Sequence, residues 1–355
     1  MMTPDSILIG VDTGGTFTDL VMVAGGRIAT FKTPSTPDDY SRGILTGIEA
    51  LLKQAPDART RGFTLVHSST VATNALLEGT GAPTGLITTK GFRDVLEIGR
   101  QNRPDLYNLM VDRPAPLVPR SRRSEVRERI TADGRVEESL SMDDVEQILD
   151  RLQRAGVTSI AVCLLFSFLR PGHERAVAAA ARRRGILVSA SCDIMPEFRE
   201  YERTSTTVVN AYVAPVMKNY LRHLKTRVRR LGATGVRVVQ SNGGSISARV
   251  AGQQPVHTLL SGPAAGLAGA TNLLSGTAAR RRLGHDRFIT FDMGGTSTDV
   301  SLVAGDAVVT QGQFMLDSES RVQEAIAKFM KRRTVGSAAS DTPPLPGDNR
   351  GGADR

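Results

Sequence analysis

The chain has 355 residues, 40% hydrophobic and 23% charged, an ordinary balance for a globular protein with room for two domains. It lacks Trp and carries only 5% aromatics, so its cores must be built from Val, Ile, Leu and Ala, which suits α/β layers and argues against an aromatic-rich sandwich. A formal net charge of +9 favours anionic ligands, but the arginines lie in short scattered clusters without interleaved aromatics, which argues against nucleic-acid binding.

The opening MMTPDS starts no signal peptide, and the most apolar run, Ile160 to Leu169, is far too short to span a bilayer. A cytoplasmic protein with no membrane contact is expected. Cys163 and Cys192 make no metal-ligand spacing and read as buried thiols in a reducing compartment.

In chain order, SILIGVD, DLVMVAGG and RIATFKT predict three strands turned by Gly14-Gly15 and Gly25-Gly26. A helix is predicted from about Pro37 to Lys53, with Tyr40, Ile44, Ile48, Leu51 and Leu52 on its apolar side. TLVHSST reads as a strand, TVATNALLEGTG as a helix and TGLITTK as another strand, the order of a ribonuclease H-like half. Ser141 caps a helix with Asp144 at its third position, its apolar stripe being Val145, Ile148, Leu149 and Leu152. VTSIAVCLLFSFL predicts a doubly covered strand, Pro171 to Gly185 a helix, and ILVSASCDI a strand. Residues 200–231 read as a long helix interrupted at Pro215, GVRVVQSNGG as a strand and turn, and SGPAAGLAGA as a helix of small residues suited to close approach between lobes. After Gln313 the periodicity fades, and the polar text from Thr334 reads as a disordered tail.

The chemistry lies in a repeat. GVDTGGTFTD and FDMGGTSTDV both set D-x-G-G-T-x-T-D between apolar runs, about 280 positions apart. Gly14, Gly15, Gly294 and Gly295 let the backbone approach a phosphate closely. Thr13, Thr16 and Thr18 in the first copy, and Thr296, Ser297 and Thr298 in the second, add hydroxyl donors. Asp12 and Asp292 would repel a bare phosphate, which makes them candidates for Mg²⁺ ligation through water and for orienting a nucleophile. Asp19 and Asp299 close the two repeats. Two such hairpins would clamp a nucleoside triphosphate between lobes, and the absence of G-x-x-x-x-G-K-[ST] excludes a P-loop. A lone His67 at a strand end and the acidic pairs Glu200/Glu202 and Asp143/Asp144 read as structural, solvated or capping groups.

The two loops and SGPAAGLAGA match the phosphate-1, connect and phosphate-2 pattern of the actin-like ATPases. GVDTGGTFTD, HSSTVATNALLE, GFRDVLEIGRQNRPDLYNL, EFREYERTSTTVVNAYVAP, QSNGG and SGPAAG followed by FDMGGTSTDV closely resemble the hydantoinase A/oxoprolinase family over residues 7 to 310. The resemblance implies an actin/hexokinase-type ATPase fold: an N-terminal domain over 1–199 carrying the first loop, the start of a second domain over 200–316, and a divergent tail over 317–355. It implies ATP and Mg²⁺ as cofactors. It further implies phosphoryl activation and hydrolysis of a hydantoin, N-methylhydantoin or 5-oxoproline type of cyclic amide, together with a hydantoinase B-type partner subunit. Candidate substrate contacts are Thr70, Thr73 and Asn74, then Arg100, Gln101 and Arg103, then Ser241 and Asn242. The family pattern continues past the second loop, so the sequence is read as a truncated or split subunit with an incomplete second lobe. The alternatives are an acetone or ketone carboxylase subunit and an inactive remnant that only binds a partner.

Overall fold

A computed structural model describes residues 6–101, 107–108, 110, 115–275, 287–293, 298–304 and 307–308. β1 (Leu8–Thr13), β2 (Phe17–Ala24) and β3 (Arg27–Pro34) form an antiparallel meander. Gly25 and Gly26, both at positive φ (54° and 76°), close its second turn, where any Cβ would be strained. α1 (Tyr40–Gln54) starts three residues later than Pro37 because Asp39 caps it, its carboxylate accepting from the Ser41 N–H at 3.1 Å. Its apolar stripe is buried as expected: Ile44, Ile48, Leu51 and Leu52. After the short α2 (Asp57–Arg61), β4 (Phe63–Ser69) runs parallel to β1, and α3 (Val71–Leu77) follows it.

β5 (Thr84–Thr89) corrects the sequence reading: it leaves the first sheet and opens a second one. All six of its residues are buried, which a strand at the heart of a covered sheet requires. α4 (Val95–Ile98), β6 (Arg123–Val126), the small β7 (Arg129–Ile130) and β8 (Val136–Glu138) hairpin, and α5 (Met142–Arg154) come next. Ser141 caps α5 through the Asp144 N–H at 3.3 Å, and Val145, Ile148, Leu149 and Leu152 are buried, as expected.

β9 (Ser159–Cys163) is shorter than the apolar run suggested, because the chain turns through Phe166 at φ 51°. α6 (Gly172–Arg183) and β10 (Leu187–Ala190) complete the parallel sheet, in the order β10-β9-β5-β6. The predicted strand does not continue through SCDI. Ser191–Ile194 is a helical turn, α7, since the Ser191 hydroxyl and the Cys192 N–H both donate to the fully buried Glu174 carboxylate, at 2.7 and 2.8 Å. Cys163 is buried, but Cys192 is only half-buried, against expectation; both are free thiols.

α8 (Glu200–Arg230) runs unbroken for 31 residues through Pro215, contrary to the interruption expected. Proline removes the N–H that would bond the Ala211 carbonyl. The Ser159 hydroxyl of β9 supplies the missing donor at 2.7 Å. Glu202, on this helix, is buried and paired with Arg100 rather than solvated.

The chain then returns to the first sheet with β11 (Ala233–Val239), parallel to β4, and β12 (Ser245–Ser247). The first sheet therefore has the order β12-β11-β4-β1-β2-β3. Its ribonuclease H-like run is β3-β2-β1-β4-β11, with the second sheet spliced between β4 and β11. α9 (Ala248–Gln253) leads to α10 (Ser261–Ser275). β13 (Arg287–Met293), β14 (Thr298–Ala304) and β15 (Ala307–Val308) make a separate antiparallel sheet. The predicted tail lies outside the described residues. No helix among the described residues is long and apolar enough to cross a membrane.

Candidate nucleotide-binding site

β1 alternates strictly. Ile9, Val11 and Thr13 are buried, while Leu8 and Gly10 are partly exposed and Asp12 is exposed. Gly10 and Asp12 face an open cleft of about 520 Å³ across the first sheet. Asp12, Asp19 and Ser68, from three adjacent strands, line it, with Lys32 of β3 and Ala265 of α10. Asp12 stands near the C-terminal end of β1, where the Ser68 hydroxyl donates to its Oδ1 at 2.5 Å. Asp19 faces Asp12 across the β1–β2 pair and is held by Lys32 Nζ at 2.9 Å. The β1–β2 turn is closed by the Gly14 N–H donating to the Phe17 carbonyl at 3.0 Å. A Cβ on Gly14 would lie 3.2 Å from that carbonyl oxygen, a tight contact that favours a small residue there. Ser35 braces the same turn, donating to the Gly14 carbonyl at 2.7 Å and lying 3.0 Å from the buried Thr18 hydroxyl. Thr13 Oγ1 is buried without a hydrogen-bond partner. Gly15 and Thr16 lie in the exposed part of the turn.

The small-residue helix reaches this loop. A Cβ on Gly262 would stand 3.3 Å from Asp12 Oδ1, a tight contact, so the start of α10 lies directly against the carboxylate. Ser261 anchors that start by accepting from the Ser69 N–H at 3.1 Å. α10 also packs against β4, β11, β13 and β14, so one helix touches the first sheet and the second hairpin. In that hairpin Asp292 pairs with Asp299 and Met293 with Thr298, the register that pairs Asp12 with Asp19 and Thr13 with Thr18. The sequence repeat is thus a repeat of backbone register. Gly294, Gly295, Thr296 and Ser297 fall outside the described residues, as does Arg103.

The other candidates have local partners. Thr70 Oγ1 donates to the Thr13 carbonyl at 3.2 Å, and Thr73 Oγ1 accepts from the Leu260 N–H at 3.2 Å. Asn74 Nδ2 donates to the Tyr40 hydroxyl at 3.1 Å. These three tie α3 to the first loop, to α1 and to the approach to α10. Arg100 Nε pairs with Glu202, and Gln101 takes φ 60°. Ser241 Oγ donates to the His257 carbonyl at 2.9 Å, and Asn242 Oδ1 accepts from the Gly244 N–H, holding the turn after β11. His67 is buried, with Nε2 2.7 Å from the Tyr220 hydroxyl; burial pushes its pKa down to about 4. Sequence reasoning missed Ser68, Lys32, Ser261 and Gly262. The SGPAAG motif carried a signal for the last two, whereas Ser68 and Lys32 become visible only once β4 and β3 are placed beside β1 and β2.

The donor set suits a hard cation and a phosphate chain. It offers the exposed Asp12 carboxylate, the Ser68 hydroxyl and a turn whose glycines leave the backbone uncovered. Among the described residues no cluster of three or more His, Cys, Asp or Glu could hold a metal by itself, so a cation here would be shared with a ligand or with water.

Two family profiles match the chain: the hydantoinase/oxoprolinase N-terminal region over residues 8–185, and hydantoinase/oxoprolinase over residues 203–340. The caprolactamase subunit alpha of Pseudomonas jessenii is 34% identical over 314 residues, covering 86% of this chain and 44% of that protein. A crystal structure of the ATP-dependent caprolactamase from the same organism superposes with a TM-score of 0.72, over 83% of this chain and 43% of that one. The 5-oxoprolinase of Saccharomyces cerevisiae is 33% identical over 347 residues, 84% of this chain and 26% of that protein. A nucleotide-free structure of acetone carboxylase, from work on ATP-dependent acetone carboxylation, superposes with a TM-score of 0.74 at 28% identity, over 84% of this chain and 44% of that one. The chain spans under half the length of each of these relatives.

Proposed function

The chain belongs to the hydantoinase/oxoprolinase family, and from that premise we propose that it carries the phosphate-holding half of an ATP-dependent enzyme that opens a cyclic amide. The observation that supports this most is the doubled hairpin, two D-x-G-G-T-x-T-D turns in one backbone register with α10 against both. Mg-ATP, when bound, supplies the phosphoryl group that activates a resonance-stabilised ring amide toward water. Asp12 holds the cation side of the phosphate chain, and Ser68 keeps its carboxylate aimed into the cleft. Asp292 is assigned the same role from the second hairpin. Gly15 and Thr16, with Gly294, Gly295, Thr296 and Ser297, are assigned as amide and hydroxyl donors to phosphate oxygens, and Gly14 closes the first turn. Thr13, Thr18, Thr298, Asp19 and Asp299 brace the two turns. Thr70, Thr73, Asn74, Arg100, Arg103, Ser241 and Asn242 are kept as candidate contacts for the ring, and a complementary B-type subunit is assigned to the working enzyme, since relatives are named as subunits.

A carboxylase reading is also favoured by a specific observation, the similarity to acetone carboxylase and to the acetophenone carboxylase gamma subunit of Aromatoleum aromaticum. Mg-ATP hydrolysis by the purified chain, alone and with a B-type subunit, separates the two. Stimulation by hydantoin, 5-oxoproline or caprolactam, lost in Asp12→Asn, supports the amidohydrolase. Stimulation by a ketone with bicarbonate selects the carboxylase. Absence of both turnover and Mg-ATP binding overturns the nucleotide reading.

A further inference from the structure

The second sheet ends in an open edge, β6, far in topology from the aspartate cleft. A cavity of about 420 Å³ opens beside it, and four arginines line it: Arg93, Arg120, Arg123 and Arg151. They come from the loop after β5, the turn before β6, β6 itself and α5. Arg123 forms the floor, with its side chain 1% exposed. Its Nε donates to the Val118 carbonyl and one terminal nitrogen to Glu97, both at 2.9 Å. The other terminal nitrogen is buried and has no hydrogen-bond partner; the Asp94 carboxylate is 3.8 Å away, beyond bonding reach. Arg93 Nε is likewise buried and unpartnered, 4.0 Å from the same oxygen.

Asp94 is already engaged, accepting two bonds from Arg120 at 2.9 and 3.0 Å. The one carboxylate in the lining, Glu125, accepts from the Gly91 N–H at 2.7 Å. Arg151 reaches in to bond Ser124 at 2.7 Å, and the Ser121 hydroxyl adds a further donor. Two guanidinium N–H groups are therefore desolvated in a cationic cavity without an acceptor. Buried donors of this kind are ordinarily satisfied, and guanidinium forks match the geometry of tetrahedral oxyanions.

We propose that this cavity is a second anion site that binds a small doubly charged oxyanion of the phosphate class, either free phosphate or a phosphomonoester. Asp94, Glu97 and Glu125 are each engaged by other donors, and Arg93 Nε and one Arg123 terminal nitrogen still lack an acceptor. The site does not depend on the nucleotide reading, since it shares no residue with the first sheet.

The test follows thermal unfolding of the full chain as sodium chloride is replaced by inorganic phosphate at constant ionic strength, with glycerol phosphate in a parallel arm. Phosphate is expected to raise Tm by at least about 2 °C over chloride, and Arg93→Gln/Arg151→Gln to remove that rise. Both substituted side chains are partly or fully exposed, so the fold should tolerate their loss. A measurement that needs no variant is phenylglyoxal labelling read by mass spectrometry, in which phosphate should shield Arg93 and Arg151 and chloride should not. A response to glycerol phosphate as well as to phosphate identifies a monoester site, and a response to phosphate alone a free-anion site. No phosphate-specific rise, a rise that persists in the double variant, or wild-type Arg93 and Arg151 that stay reactive in phosphate, overturns the proposal.

Discussion

Asp12 shows how little of a site is a single residue. Its carboxylate faces solvent because β1 alternates, and its direction is set by Ser68 one strand away and by the missing Cβ of Gly262. The neighbour of Ser68, His67, points to the other face and is fully buried against Tyr220. Burial lowers its pKa from 6.5 to about 4 and raises that of Tyr220. The folded chain therefore holds a neutral imidazole, while the unfolded chain takes up a proton near pH 6.5. His67 contributes stability in full above pH 6.5, and that contribution is lost as pH falls toward 4. The displacement corresponds to about 3 kcal/mol. Urea unfolding at pH 7.5 and pH 4.5 should show wild type losing roughly 2–3 kcal/mol more than His67→Gln, whose amide still reaches Tyr220 but does not titrate. Equal losses in the two proteins would remove His67 from the acid sensitivity.

At the scale of elements, periodicity was enough wherever a segment makes its own structure. The first three strands, α1, α5 with its Ser141 cap and the hairpin repeat were all legible, because their signals are local. What escaped depends on partners distant in sequence. The sequence does not tell that β5 belongs to the second sheet, because nothing local distinguishes one buried parallel strand from another. Pro215 reads as a helix break in the sequence because its remedy, Ser159, lies on a strand far away in the chain. In the site, the Asp12 repeat was visible in the text, whereas its supports on β3 and β4 were not. The Pro215 arrangement gives a sharp prediction. Ser159→Ala should cost about 1–3 kcal/mol by leaving the Ala211 carbonyl buried and unpaired. Adding Pro215→Ala returns an N–H four residues along and should recover most of that loss. Chemical denaturation of the two single variants and the double variant measures the coupling. A double variant no more stable than Ser159→Ala would mean that Ser159 acts through something other than the helix carbonyl.

At the scale of the molecule, α8 is a wall shared by two sheets. Toward the first sheet it buries Val209, Val213, Met217, Leu221 and Leu224 in the larger core. Toward the second it contributes Val208 and Ala211, packed with Leu86, Ala161 and Cys163. Polar bonds fasten both sides. Arg227 donates to Asp39 at 2.6 Å at the start of α1, while Arg203 donates to Ser167 at 2.6 Å and Asn210 to Ser189 at 2.8 Å beside β9 and β10. The second sheet is inserted between β4 and β11, both of which belong to the first, so it cannot detach without pulling α8 from the larger core. The two sheets should then open as one cooperative unit, despite their separate sheet topology. Native-state hydrogen exchange followed by mass spectrometry tests this directly. Peptides covering β4 and β9 should report opening free energies within about 1 kcal/mol of each other, and the buried Cys163 thiol should become reactive at the same denaturant concentration as β4 exchanges. If β9 opened tenfold more often than β4, a difference of about 1.4 kcal/mol, the second sheet would be a separately unfolding module, and α8 would have to keep its contacts with the first sheet while losing those with the second.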